Sequence, residues 1–228
     1  MFLFIRLLLA HFIGDTVLQP DEVYAIKKNN FGGVVVHAVI IFCTLVIFSW
    51  PFLAHPEIWI LIGFASITHM VQDEIKMRRH YPKDKNFILF MVDQFLHILF
   101  LTPVFMMEFS SQPARGSGFW MTFYDNTKLM LFAMGFVVTV FLGAYLWESY
   151  KSSYFKKPKL FDPYRIKYGM FERALVLVAF AFSAWWFLPI PLVFRFFYKR
   201  THFTWSLVFN VVSGVATGLI LRGLLPIF

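Results

Sequence analysis

The chain has 228 residues, of which 59% are hydrophobic and only 15% charged, with a formal net charge of +8 and a mean hydropathy of +0.65. Soluble domains are nearer half apolar and a quarter charged, so this composition excludes an ordinary soluble enzyme. The positive charge does not indicate nucleic acid, because Lys and Arg sit in short stretches beside apolar runs, where membrane orientation and anionic headgroups account for them.

The apolar residues come in blocks of about 20, such as VVVHAVIIFCTLVIFSW and LMLFAMGFVVTVFLGAYLW, a length that matches the hydrocarbon thickness at helical rise. They predict an all-α, polytopic transmembrane helix bundle of about seven spans. In chain order these run over about 2–19, 34–53, 58–75, 86–107, 128–148, 170–190 and 204–225. The first is expected to be retained, since no A-x-A-like cleavage site closes its apolar run. Residues 1–107 should form a four-helix membrane core, and 108–228 three further spans with a basic cytoplasmic loop. Pro189 and Pro191 should bend or break the sixth span, and the following PLVFRFFYKR reads as an amphipathic interfacial helix. In the last span Gly214 and Gly218 permit close helix packing. A lone Cys43 excludes an intramolecular disulfide.

Orientation follows from the basic residues. Lys76, Arg78, Arg79, Lys83 and Lys85 follow the third span, and Lys151, Lys156, Lys157, Lys159, Arg165 and Lys167 follow the fifth. WPFLAHPEI, between the second and third, has no Lys or Arg. The loops after spans one, three and five are therefore expected in the cytoplasm of a bacterial inner membrane, with the N-terminus outside. Arg195, Lys199 and Arg200, between the last two spans, run against this pattern.

Polar residues inside the first four spans carry the chemistry. HFIGDTVLQ places His11, Asp15 and Gln19 at four-residue intervals, one face of a regular helix. THMVQDEIK repeats the device with His69, Asp73 and Lys76, and DQFLH with Asp93 and His97, Gln94 lying beside them. His37 opens the second span. In an up-and-down bundle the end of span one, the start of two, the end of three and the start of four share one leaflet. One cluster of four imidazoles and three carboxylates is the economical expectation. Neutral His and ionised Asp ligate divalent metals such as Zn, Mn or Fe, and a cation offsets the cost of burying carboxylates. The set suffices for one or two ions, with Gln19 and Gln94 in supporting positions. The same groups also suit an ion or proton relay, or plain hydrogen bonds between helices. His55, His80 and His202 are expected to lie apart, and Asp21, Glu22 and Asp84 to be solvated loop charges.

A second polar group comes from later spans: Glu148 in LWES, Glu172 and Arg173 in YGMFERALV, and Asn210. Glu172 is a candidate to join the site, and Arg173, like Lys76, to meet an anionic group; charged residues at a helix entrance are the plainer account.

HFIGDTVLQ, His37, THMVQDEIK and DQFLH, in that order, resemble an uncharacterised family of bacterial integral membrane proteins, domain of unknown function 3307. The resemblance covers roughly the first 100 residues, with GMFERALVLV a weaker echo of the later half. It implies a membrane location and no particular activity. A more distant similarity is to membrane-bound metal-dependent hydrolases, although their H-R-G-x-T-H-S signature is missing here. The expected function is a membrane-embedded, metal-dependent hydrolase acting on a phosphorylated or ester substrate at the cytoplasmic face. Asp15, Asp73, Lys76, Glu172 and Arg173 are its candidate catalytic residues, and His11, Asp15, His37, His69, Asp73, Asp93 and His97 its candidate ligands. The alternative is a metal-ion or proton transporter using the same cluster. Membrane lipids and a small or lipid-like substrate are the expected partners, and a homo-oligomer is compatible with the sequence.

Overall fold

Apolar stretches this long satisfy their backbone polar groups internally only as helices when water is absent, and every regular element is helical. The computed structural model describes residues 1–19, 21–79, 85–114, 118–154, 163–190, 193 and 205–224 and has no strand among them. His80, Lys83, Asp84, Lys156, Lys157, Lys159, Arg195, Lys199, Arg200, His202 and all but Val193 of the expected interfacial helix lie outside the described residues.

The chain divides into two compact units, Met1–Met134 and Gly135–Phe228. The first holds α1 (Phe2–Phe12), which runs straight into a π-helical turn at Ile13–Val17, then α2 (Asp21–Asn29) and α3 (Phe31–Ser49). It continues with α4 (Pro56–Arg78), α5 (Asn86–Leu101) and the short α6 (Phe119–Asp125). The unit boundary falls within α7 (Thr127–Val137). A second π-turn at Val138–Leu142 leads into α8 (Gly143–Tyr154), and α9 (Pro163–Ala181) and α10 (Trp205–Leu224) complete the second unit.

The starts and stops have local causes. Asn30, in an extended conformation, caps α3 by accepting from the Gly33 amide at 2.9 Å. Pro56 begins α4, where its missing N–H costs nothing. Pro103 stands in the first turn of the 3-10 segment Thr102–Met106 that ends α5.

In the first unit the core is apolar at one end. Leu3, Leu7 and Ala10 of α1 pack with Ile41 and Leu45 of α3, Ile58, Leu61 and Ile62 of α4, and Leu101 of α5. The fully buried Arg6 closes this end. It donates from Nη1 to the Phe2 carbonyl at 2.7 Å and from Nε to the Tyr124 carbonyl at 2.9 Å, tying α6 to α1. Its guanidinium also lies over the Phe2 ring, 3.2 Å from the centroid.

The expectation of seven spans is corrected. Among the described residues four helices are long and apolar enough to cross a membrane: Phe31–Phe52, Asn86–Met106, Thr127–Tyr154 and Ser206–Leu224. A fifth is added if Phe2–Val17 and Glu22–Asn29, which meet at 84°, count as one bent span. The expected third span, α4, has the length but spends it on Glu57, Asp73, Glu74, Lys76 and Arg78. Its His69 and Asp73 are nevertheless turned inward, 2% and 1% exposed, whereas Ile60 and Ile67 are 72% and 60% exposed. The expected sixth span is cut short. α9 ends at Ala181, Ser183 takes a positive φ of 57°, and a 3-10 turn follows at Trp185–Phe187.

Gly33 marks where α2 crosses α3. A Cβ there would stand 2.3 Å from the backbone at Ile26 and Lys27, so only glycine allows the approach. Gly33→Ala is expected to push α2 away and lower stability by about 1–3 kcal/mol, as overpacking does. Unfolding in mixed detergent micelles would show it as an earlier midpoint; Gly63→Ala, with nothing within 4 Å of its added Cβ, should not move it that way.

Candidate metal centre

The end of the first unit opposite Arg6 carries the polar cluster, and its construction starts with the π-turn. Leu18 donates its N–H to the Ile13 carbonyl, five residues back, so the helix is widened and underwound by one extra residue where Asp15 sits. Such single-turn π-bulges redirect side chains and gather at functional sites. Asp15 consequently does not pair with His11, four residues before it, as a regular helix would have it. It crosses to α3, where His37 Nε2 stands 3.1 Å from Asp15 Oδ1. Gly14 makes the crossing close: a Cβ there would come within 2.8 Å of Ile41 and Thr44 side-chain atoms.

His69 is the centre of the cluster. Its ring lies 4.2 Å from that of His97, 5.1 Å from His37 and 5.4 Å from His11, centroid to centroid. One ring nitrogen each of His11, His69 and His97 lie within 4.8 Å of one another, and His69 forms a second such group with Asp15 and His37. All four imidazoles are buried. His11 Nε2, His37 Nδ1 and His69 Nδ1 have no hydrogen-bond partner. Buried polar atoms left unpaired in this number point to something that binds there. These two overlapping groups can hold a metal ion.

The carboxylates are held from two sides. On α4, Asp73 Oδ2 is 3.1 Å from His69 Nε2, and on α5, Asp93 Oδ1 is 3.4 Å from His97 Nε2. Both are contacts of the kind that orient an imidazole. Each Asp also meets an ammonium: Lys27 Nζ lies 2.5 Å from Asp73 Oδ2, and Lys76 Nζ lies 2.5 Å from Asp93 Oδ2. Gln94 donates to Asp15 Oδ2 at 3.3 Å, and Gln19 accepts from Lys27 at 3.3 Å. His11, Asp15, Gln19, His37, His69, Asp73, Lys76, Asp93, Gln94 and His97 thus belong to one constellation.

One participant escaped sequence reasoning. Lys27 looks like half of a solvated Lys-Lys pair in a polar stretch, yet it is 2% exposed; only the fold of α2 onto α3 carries it inward. The buried Arg6, at the opposite end of the unit, also went unread, and its bonds to the Phe2 and Tyr124 carbonyls are structural. His55 stacks on Phe109 at 4.0 Å and takes no part in the cluster.

Glu172 and Arg173 belong to the second unit, where Asn210 of α10 bridges them. Arg173 Nη1 donates to Asn210 Oδ1 at 2.6 Å, and Asn210 Nδ2 donates to Glu172 Oε2 at 2.6 Å. Arg173 Nη2 also donates to the Val140 carbonyl at 2.9 Å, inside the second π-turn. Glu148 pairs with Lys151 at 2.5 Å.

The architecture is that of an all-helical protein with membrane-length helices and a His/Asp centre buried at one end of its first unit. The chain belongs to the DUF3307 family, described as a protein of unknown function, whose model matches residues 3–122. That match spans α1 through most of α6, and with them the whole constellation. No curated protein and no solved structure matches the chain.

Proposed function

We propose that the protein is a metal-dependent hydrolase embedded in a bacterial inner membrane, acting on a phosphorylated or ester substrate at the cytoplasmic face, with its N-terminus outside. One observation carries the reading: three buried imidazoles, His11, His69 and His97, bring a ring nitrogen each within 4.8 Å of the others, and His11 Nε2 and His69 Nδ1 lack partners. Three histidines with a position left open are the ligand set of catalytic zinc, and Mn or Fe accept the same donors. A cavity of about 10 Å³ adjoins these rings, between them and Leu45, Ala65 and Leu101; it has room for about one water-sized body.

The ion would lower the pKa of a bound water and polarise the substrate. Asp15, the least buried carboxylate of the cluster at 12% exposed, is placed to accept the proton. Asp73 and Asp93 hold the His69 and His97 rings. Lys76, with 36% of its side chain exposed, is the ammonium able to reach an anionic group. The basic residues after α4 support a cytoplasmic location for this end, and its depth among helices supports a lipid-like substrate. Against a transporter stands the apolar core of Leu3, Leu7, Ile41, Leu45, Ile62 and Leu101, which fills the other half of the same helices and, among the described residues, gives an ion few polar groups beyond the cluster.

The decisive experiment is metal analysis of detergent-purified protein, followed by assay of metal-dependent release of phosphate or acid from phospholipid and soluble esters. Bound divalent metal, and turnover that stops on chelation and returns on reloading, are expected. A chain that takes up no metal sinks the reading. Metal that crosses liposome membranes without turnover moves the function to transport.

A further inference from the structure

Resting on the metal reading above, we infer that Lys27 is a built-in cation filling a second ion position, formed by Asp15, His37 and Asp73, so that the centre takes one divalent ion rather than two. The donors for a second ion are present. His37 Nε2 lies 3.1 Å from Asp15 Oδ1 and 3.6 Å from Asp73 Oδ2. Donors around a tetrahedral ion with bonds near 2.0–2.2 Å stand about 3.4 Å apart, so His37 Nε2 stands at ligand spacing from a carboxylate oxygen on either side. The Lys27 ammonium meets this group at Asp73, 2.5 Å from Oδ2, and is 2% exposed.

Charge explains why an ammonium belongs there. The centre holds three carboxylates, Asp15, Asp73 and Asp93, against two ammonium groups, Lys27 and Lys76. With neutral imidazoles this leaves one negative charge, which a single divalent ion turns into one positive. A second divalent ion beside Lys27 would leave three positive charges in a buried site, a heavy electrostatic cost. The position is delivered by fold rather than by flexibility: α2 is pressed to α3 at Gly33, whose added Cβ would strike the backbone at Lys27. Lys76 has no equivalent role. Among the described residues, its partner Asp93 has His97 as its one neighbouring imidazole, and Gln94 beside it donates an N–H, too few ligand atoms for an ion.

The test is zinc stoichiometry on the full-length chain in detergent, stripped by chelator and reloaded with Zn²⁺. Co²⁺ absorption provides a second readout of coordination. One Zn²⁺ per chain is expected for the wild type, for Lys27→Arg and for Lys76→Met; two are expected for Lys27→Met. Lys27→Gln, which keeps a polar head of similar reach, serves where Lys27→Met does not fold and should also take two. Two ions in the wild type, or one in a folded Lys27→Met or Lys27→Gln chain, overturns the inference and leaves the metal reading standing. No zinc in any of them overturns the metal reading, and the inference with it.

Discussion

A His69→Ala chain is expected to lose divalent metal affinity by at least about 100-fold, more than the 10–100-fold typical of losing an outer partner of a ligand. The reason is geometric. His69 is common to both groups of converging donors, and its ring touches those of His11, His37 and His97. No neighbour can replace it, because the remaining imidazoles of α1 and α5 would be left as two ligands where a tetrahedral ion needs three or four. His11→Ala and His97→Ala should follow it closely. His37→Ala, whose ring faces Asp15 and Asp73, should retain most of the ion, and His55→Ala, stacked on Phe109, all of it. Metal content by mass spectrometry after equilibrium dialysis ranks the five variants. Equal metal in His69→Ala and wild type would dismantle the proposed centre.

The second large effect concerns stability. Asp73→Leu should destabilise the protein by about 3–5 kcal/mol, the range found when one partner of a buried ion pair is removed. Lys27 would remain 2% exposed with Gln19, at 3.3 Å, as its remaining partner. Lys27→Met together with Asp73→Leu removes both charges and should recover most of the loss, since hydrophobic replacement of a complete buried pair is often neutral or favourable. Denaturation in mixed micelles, carried through the double-mutant cycle, measures the coupling. Additive losses, with the double variant worse than either single, would mean that the two side chains do not act as a pair. Asp93 and Lys76 form the built-in comparison. Lys76 keeps 36% of its side chain exposed, so Asp93→Leu lets its ammonium swing into water and should cost less.

Much of the centre was legible because helical period is a strong constraint. His69 with Asp73, and Asp93 with His97, lie four residues apart on regular helices, and each pair meets as that spacing demands. His11 with Asp15 has the same spacing but a different fate, since the π-turn at Ile13–Val17 sends Asp15 to His37 instead. No residue pattern announces that turn; the close packing of Gly14 against Ile41 and Thr44 accompanies it. The span count failed for a related reason. The apolar run of α4 conceals the charge gathered at its ends, Glu57 and then Asp73, Glu74, Lys76 and Arg78, which the folded helix includes. The apolar run of α9 likewise conceals the break after Ala181.

Composition and periodicity alone determine that this chain is helical, that it has membrane-length helices, and that imidazoles and carboxylates recur on their faces, because burial and helical pitch act on each segment separately. Which carboxylate meets which imidazole, and that Lys27 stands among them, was decided only when α2 folded back onto α3. Those partners come from helices distant in the chain, and their pairing depends on how closely glycines let backbones approach, a quantity no single segment contains.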